Sequence, residues 1–121
     1  MDARYVFAVT VRIEPSRGLS VDPNTIDLRL FRPADEPGEP GWRFFRDNLW
    51  RGDIADDAHL RRLTEDALGL TVLAIEFRAF ETDDEYLEAL REAIVDDLAA
   101  FKDDSVDSVL NKYFGSRIEV R

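Results

Sequence analysis

Apolar and polar side chains alternate with a period of two along residues 4–14, the first apolar segment of the chain. One face of this segment is apolar throughout: Tyr5, Phe7, Val9, Val11 and Ile13. The opposite face is mixed: Arg4, Val6, Ala8, Thr10, Arg12 and Glu14. A strand with one apolar face must cover that face with another element of the fold. The pattern therefore predicts a sheet that is packed on one side only.

Two later segments alternate in the same way. Ile26, Leu28 and Leu30 share one face of the first, which begins at Thr25. Leu73, Ile75, Phe77 and Ala79 share one face of the second, within residues 70–81. Turn-forming residues fill positions 15–24, so the first two strands are expected to form an antiparallel pair. Residues 118–120 add the pattern of a short closing strand.

Three segments have helical spacing. The first begins at Asp56 or Asp57 as N-cap and ends at Gly69, where a left-handed residue is expected. Residues 82–85 resemble a capping box and predict a helix through Phe101. Its apolar stripe is the strongest in the chain: Leu87, Leu90, Ile94, Leu98 and Phe101. The third begins at Asp104 or Ser105 and ends at Gly115.

The segment from Trp42 to Trp50 is compatible with either a helix or a strand. A helix places Trp42, Phe45, Leu49 and Trp50 in one apolar arc but leaves Phe44 outside it. A strand alternates Trp42 with Phe44, but the alternation stops at Phe45. The helix is the favoured interpretation. Residues 33–41, rich in proline and glycine, precede it as a solvated connector.

Together these segments predict an α+β fold with a single domain over residues 1–121. We expect an antiparallel sheet of three to four strands, covered on one face by three or four helices. A chain of 121 residues has room for one hydrophobic core and can fold without cross-links.

Several kinds of chemistry are excluded or unsupported. The chain has no cysteine and one histidine, His59, so it cannot build a thiolate site or a site needing two imidazoles. The acidic clusters lack the spacing of a calcium loop, and no nucleophile elbow, phosphate loop or dinucleotide fingerprint occurs. We therefore predict no catalytic residue, metal or cofactor, and an enzyme is the less favoured class. With no membrane-length apolar run and no cleavage pattern, a soluble cytoplasmic protein is expected.

The charged residues are strongly biased towards short acids. The chain has 26 acidic and 16 basic residues, a net charge of −10, with 16 Asp and only two Lys, Lys102 and Lys112. Short carboxylates hold water and cations, whereas lysine adds an apolar stem. At molar salt the Debye length is about 3 Å, so the repulsion of so many carboxylates is screened. The composition indicates adaptation to a high-salt cytosol, and a GC-rich genome is the alternative explanation for the preference for arginine.

Residues 41–53 are dense in tryptophan, phenylalanine and arginine. They contain the triplet Leu49-Trp50-Arg51, and residues 112–116 read Lys-Tyr-Phe-Gly-Ser. With the proline-rich segment before it and the acid-capped helices after it, the chain resembles the LWR-salt proteins of halophilic archaea over nearly its whole length. The resemblance implies a haloarchaeal cytosolic origin. It implies no activity, cofactor or catalytic residue.

The favoured function is a non-enzymatic protein–protein interaction module, because tryptophan and arginine are enriched at interaction hot spots. The candidate contact residues are Trp42, Arg46, Leu49, Trp50 and Arg51. The partner is another protein or a second copy of the chain. For most of the aromatic residues, the favoured interpretation is structural: Trp42, Phe45 and Leu49 lie in the core, and the arginines are solvated or pair with Asp47 and Asp53. Trp50 and Arg51 are then the residues that would face a partner. Nucleic acid is disfavoured, since six phosphate contacts lose roughly seven decades of affinity between 0.15 and 3 M salt.

A small-ligand or anion binder, or an enzyme, is the alternative function. Arg12, Arg29 and Arg78 are expected on the face of the sheet that the helices leave open. Convergence of unpaired guanidinium groups in one pocket would favour this alternative. Pairing of each with a neighbouring carboxylate, such as Asp27 or Glu76, would remove its support.

The charge bias leads to a prediction about salt. The free energy of unfolding is expected to fall as KCl is lowered from molar to tenths of molar, because unscreened carboxylates repel. Circular dichroism and tryptophan emission during dialysis measure this change. Spectra that stay the same at low salt would contradict the prediction.

Overall fold

The computed structural model describes residues 1–121 and contains a four-stranded sheet, a small hairpin and four α-helices. The strands of the main sheet are β1 (Ala3–Arg12), β2 (Thr25–Pro33), β5 (Thr71–Thr82) and β6 (Ile118–Val120). The hairpin consists of β3 (Leu49–Trp50) and β4 (Asp53–Ile54). The helices are α1 (Phe44–Asn48), α2 (Asp57–Leu68), α3 (Asp84–Val95) and α4 (Val106–Phe114), with a 3₁₀ helix at Leu98–Phe101.

The main sheet has the strand order β2-β1-β5-β6. Its first three strands are antiparallel, whereas β6 runs parallel to β5. The α+β fold is therefore confirmed, with a mixed sheet in place of the purely antiparallel one predicted. The parallel pair arises because α3 and α4 lie between β5 and β6 in the chain and return it to the same end of the sheet.

The alternation in β1 is confirmed, since Tyr5, Phe7, Val9 and Val11 are all buried on the helix-covered face. The prediction for β5 was wrong in part. Two bulges shift its register against β1, so that Val72 and Phe80 join Ile75 and Phe77 in the core. Each bulge adds one residue to one strand and reverses the side on which later residues lie. Leu73 is consequently exposed. Ala79, which was predicted on the core face, lies opposite Val6 on the other face of the sheet.

Two of the three N-cap predictions are confirmed in position. The Asp56 carboxylate accepts a hydrogen bond from the His59 amide, and the Ser105 hydroxyl accepts one from the Ser108 amide. Asp83, rather than Thr82, caps α3 through the amide of Tyr86. This carboxylate is held in its charged form, because the Tyr86 N–H and the chain's amino terminus lower the pKa of Asp83.

The helix predicted through Phe101 was too long, because α3 ends at Val95. A turn at Asp96 and Asp97 follows, and the Asp97 carboxylate pairs with Arg43. The break lets the 3₁₀ helix place the Phe101 ring against Phe45, at a centroid separation of 5.8 Å.

A cluster of aromatic rings joins the helices to the sheet. Phe114 of α4 is fully buried, and its ring lies 4.8 Å from Phe80, 5.0 Å from Phe45 and 6.5 Å from Tyr5. Pairs at these separations add to the free energy gained by burying the rings. The last helix is thereby fixed against the centre of the sheet, which positions the hairpin described next. None of the helices has the length and apolar character needed to span a membrane.

Candidate functional site: the hairpin turn and the open sheet face

The segment predicted as one helix or one strand contains both structures. A helix of five residues, α1, ends at Asn48, and the chain then forms the β3–β4 hairpin with Leu49 opposite Ile54 and Trp50 opposite Asp53. The helix interpretation of Trp42–Trp50 is therefore right only for its middle. The cause is the turn that follows, which requires an extended strand before it.

Arg51 and Gly52 form the two-residue turn of this hairpin. Both have positive φ, 53° for Arg51 and 85° for Gly52, as in a type I′ turn. Glycine adopts this conformation readily, but a residue with a β-carbon is strained there by about 1–2 kcal/mol. The conformation of Arg51 must therefore be stabilised by its surroundings.

The C-terminal end of α4 supplies those contacts. The Arg51 amide donates to the Lys112 carbonyl at 2.7 Å, and the Gly52 amide donates to the Tyr113 carbonyl at 2.9 Å. Carbonyls in the last turn of a helix have no partner within the helix. The hairpin turn thus caps α4 from outside, while the amides of Gly115 and Arg117 complete the cap.

Two glycines permit this close approach of backbones. A β-carbon on Gly115 would lie 2.9 Å from the Arg51 carbonyl oxygen, and one on Gly52 would lie 3.1 Å from the Phe114 carbonyl oxygen. The Arg117 side chain closes the junction by donating from Nε to the Gly52 carbonyl at 3.0 Å. We call Arg51, Gly52 and the α4 end together the turn–helix junction.

The predicted contact residues differ in burial. Trp42 and Leu49 are buried in the core. Trp50 is 47% exposed, and its ring packs edge-on against Tyr113 at 6.2 Å. The Arg51 guanidinium lies over the Trp50 ring, 5.6 Å from its centroid. Arg46 is partly exposed and pairs with the neighbouring Asp47 at 3.3 Å.

Lys112 links the junction to the segment before α4. Its ammonium group donates to the Phe101 carbonyl at 2.8 Å and lies 3.2 Å from the Asp103 carboxylate. The pKa of Asp103 is lowered, chiefly by the Asp104 backbone N–H and then by the Ser108 hydroxyl and Lys112. One of only two lysines in the chain is therefore used as a structural contact next to the turn.

The open face of the sheet contains the other candidates. Arg29 and Arg78 both line a polar groove of about 510 Å³. Arg12 lies outside it and pairs weakly with Glu14 at 3.8 Å. Arg78 pairs with Glu76 at 3.1 Å, whereas no carboxylate lies within 4 Å of the Arg29 guanidinium. The three arginines are thus not equivalent, and only Arg29 is both in the groove and unpaired.

Three arginines that were not singled out from the sequence share this groove: Arg4, Arg117 and Arg121. Glu81 joins Arg4 at 2.8 Å to Arg121 at 2.7 Å. The pKa of Arg121 is raised by its hydrogen bond with Glu119 and by the charge of Glu81. Alternation in β1 could have indicated Arg4, but residues 117 and 121 reach the groove through the parallel pairing of β6, which has no local signal.

Comparison with known families points to one match. A family model described as LWR-salt protein matches residues 1–121 and confirms the resemblance seen around Leu49–Arg51. Neither the search of curated proteins nor that of solved structures found a match.

The geometry of the junction predicts the effect of a single methyl group. Gly115→Ala is expected to lower the free energy of unfolding by about 1–3 kcal/mol more than Gly69→Ala, because its β-carbon meets the Arg51 carbonyl. Gly69 is the control for positive φ, and its β-carbon would meet no atom within 4 Å. Its ψ is 23°, whereas that of Gly115 is −128°, so the expected difference includes the backbone conformation of Gly115 as well as the close approach. Urea unfolding of both variants at molar KCl measures the difference. Equal destabilisation would show that the close approach does not exist.

Proposed function

The chain belongs to the LWR-salt protein family, and we propose that it acts as a small non-enzymatic protein–protein interaction module in the cytosol of a halophilic archaeon. The proposed contact surface is Trp50 with Arg51, the exposed part of the segment from Trp42 to Arg51. The observation that carries the proposal is the large exposed Trp50 side chain on a backbone fixed by hydrogen bonds from both turn residues.

The fixed backbone makes Trp50 suited to binding. Association is opposed by the entropy lost when mobile groups become ordered, and a side chain on a fixed turn loses less. Tryptophan and arginine also provide large contact areas. Trp42 and Leu49 support this surface from below, because their burial in the core fixes the strand on which Trp50 lies.

The salt environment favours an apolar contact. At molar salt the attraction between separated charges extends only about 3 Å, while the burial of apolar surface needs no charge. The net charge of −10 and the family's name support a high-salt origin. A partner with an apolar pocket that admits the indole ring is therefore the expected kind of protein.

A second candidate function is anion binding in the open-face groove. The groove collects Arg4, Arg29, Arg78, Arg117 and Arg121 against Glu81 and Glu119 in a chain of net charge −10. Guanidinium groups bind carboxylates and phosphates through paired hydrogen bonds. Arg29, which has no carboxylate partner, is the group that an anion would meet first.

The two functions are separated by affinity purification from a halophilic lysate at molar KCl, with nuclease added. Trp50→Ala is compared with Val95→Ala, because Val95 is a similarly exposed apolar residue at the end of α3, outside the groove. We expect a protein that is recovered with the native chain and with Val95→Ala, and is lost with Trp50→Ala.

Recovery of the same proteins with all three chains, or of none with the native chain, would contradict the interaction module. The groove would then be tested by calorimetric titration with pyrophosphate. Binding that is weakened by Arg29→Gln, but not by Arg62→Gln on the exposed side of α2, would support the second candidate.

A further inference from the structure

Strand β2 forms an open edge of the main sheet. It pairs with β1 through nine consecutive residue pairs without a register shift, and no strand lies on its other side. Long, regular edge strands invite pairing with another strand, and proteins usually protect them with charged side chains, proline or a bulge. β2 has no bulge, and its one proline, Pro33, is its last residue. Its charged residues within the regular ladder are of both signs, Asp27 with Arg29 and Arg32, so they permit pairing with a complementary strand.

The free edge presents backbone groups of the odd-numbered residues. Ala34 donates its amide hydrogen to Ala3, and Ile13 donates to Asn24, which continues the β1–β2 ladder at both ends. In an antiparallel pair these hydrogen-bonded positions alternate along the strand. Even-numbered residues of β2 therefore bond to β1, and Thr25, Asp27, Arg29 and Phe31 direct their N–H and C=O groups outward.

Apolar side chains accompany this edge. Ile26 and Leu28 are on the core side of the sheet but remain 43% and 37% exposed. Leu63 of α2 is also exposed. Leu30 and Leu63 line an apolar cleft of about 260 Å³ between β2 and α2.

We propose that a second copy of this chain pairs with β2 in antiparallel orientation, with the two-fold axis passing through Leu28. A two-fold axis perpendicular to the sheet keeps the helix-covered faces of both copies on the same side of the joined sheet. The axis must therefore lie at a residue that pairs with the same residue of the other copy. With the axis at Leu28, Asp27 lies opposite Arg29 of the partner copy, and the same pair repeats on the other side of the axis.

The charged side chains favour an axis at Leu28 over an axis at the next residue, Arg29. An axis at Arg29 would place two guanidinium groups directly opposite each other, which is destabilising. The axis at Leu28 instead gives Arg29 the carboxylate partner that it lacks within one chain. It also places Ile26 opposite Leu30, at the edge of the apolar cleft, and leaves Pro33 beyond the paired residues.

The absence of cysteine from the chain permits a direct test by cross-linking. Leu28 would face itself across the axis at a non-hydrogen-bonded position, with about 4.5 Å between Cα atoms, which suits a disulfide. Leu28→Cys is expected to form a disulfide-linked dimer on mild oxidation at molar KCl. Ile26→Cys is the matched control, because its own copy would be roughly 13 Å away along the strands.

Charge exchange tests the register independently. Asp27→Arg is expected to raise the dimer dissociation constant about tenfold, measured by sedimentation at molar KCl, and Asp27→Arg combined with Arg29→Asp is expected to restore it. Trp50→Ala should leave dimerisation unchanged, which separates this proposal from the interaction module. A native chain that sediments as a monomer, or Ile26→Cys that cross-links as readily as Leu28→Cys, would overturn the proposal.

Discussion

The close approach of the Arg51–Gly52 turn to the end of α4 is the constraint on which the rest of the molecule depends. Two amides of the turn bond to two carbonyls of the helix, and Gly115 provides the space. From there Arg117 connects the turn to the sheet, because its side chain bonds to Gly52 and its carbonyl accepts the amide of Phe80. One contact therefore relates the hairpin, the last helix and the strands β5 and β6.

The family triplet gains a physical meaning from this junction, since each of its residues has a different task. Leu49 is buried and holds β3 in the core, Trp50 presents its ring to solvent, and Arg51 adopts a strained conformation that the α4 carbonyls stabilise. A structural role explains Leu49 and the backbone of Arg51 completely. The Trp50 ring also contacts Tyr113 and Arg51, but about half of its surface stays exposed. This exposed surface is why we propose Trp50 as the contact residue.

Sequence patterns between neighbouring residues were sufficient to predict the elements whose conformation those neighbours determine. The alternation in β1, the caps at Asp56 and Ser105 and the left-handed Gly69 all follow from neighbours along the chain. The bulges of β5 could not be predicted, because they depend on the pairing with β1. The hairpin was missed because arginine rarely adopts positive φ, although Gly52 next to Arg51 was a signal for a tight turn. The sequence named Trp42 and Leu49 both as contact candidates and as core residues, and the structure buries them. Trp50 and Arg51, the residues expected to face a partner, are exposed.

Amide hydrogen exchange at Arg51 and Gly52 tests the central claim most directly. These amides lie in a hairpin turn, where exchange is ordinarily fast, yet the junction bonds them to carbonyls of a core helix. We predict that at molar KCl they exchange as slowly as the amide of Gly115, which bonds to Asn111 at the same helix end. Exchange as fast as that of Gly18, in the loop before β2, would contradict the account and remove the basis for a fixed Trp50.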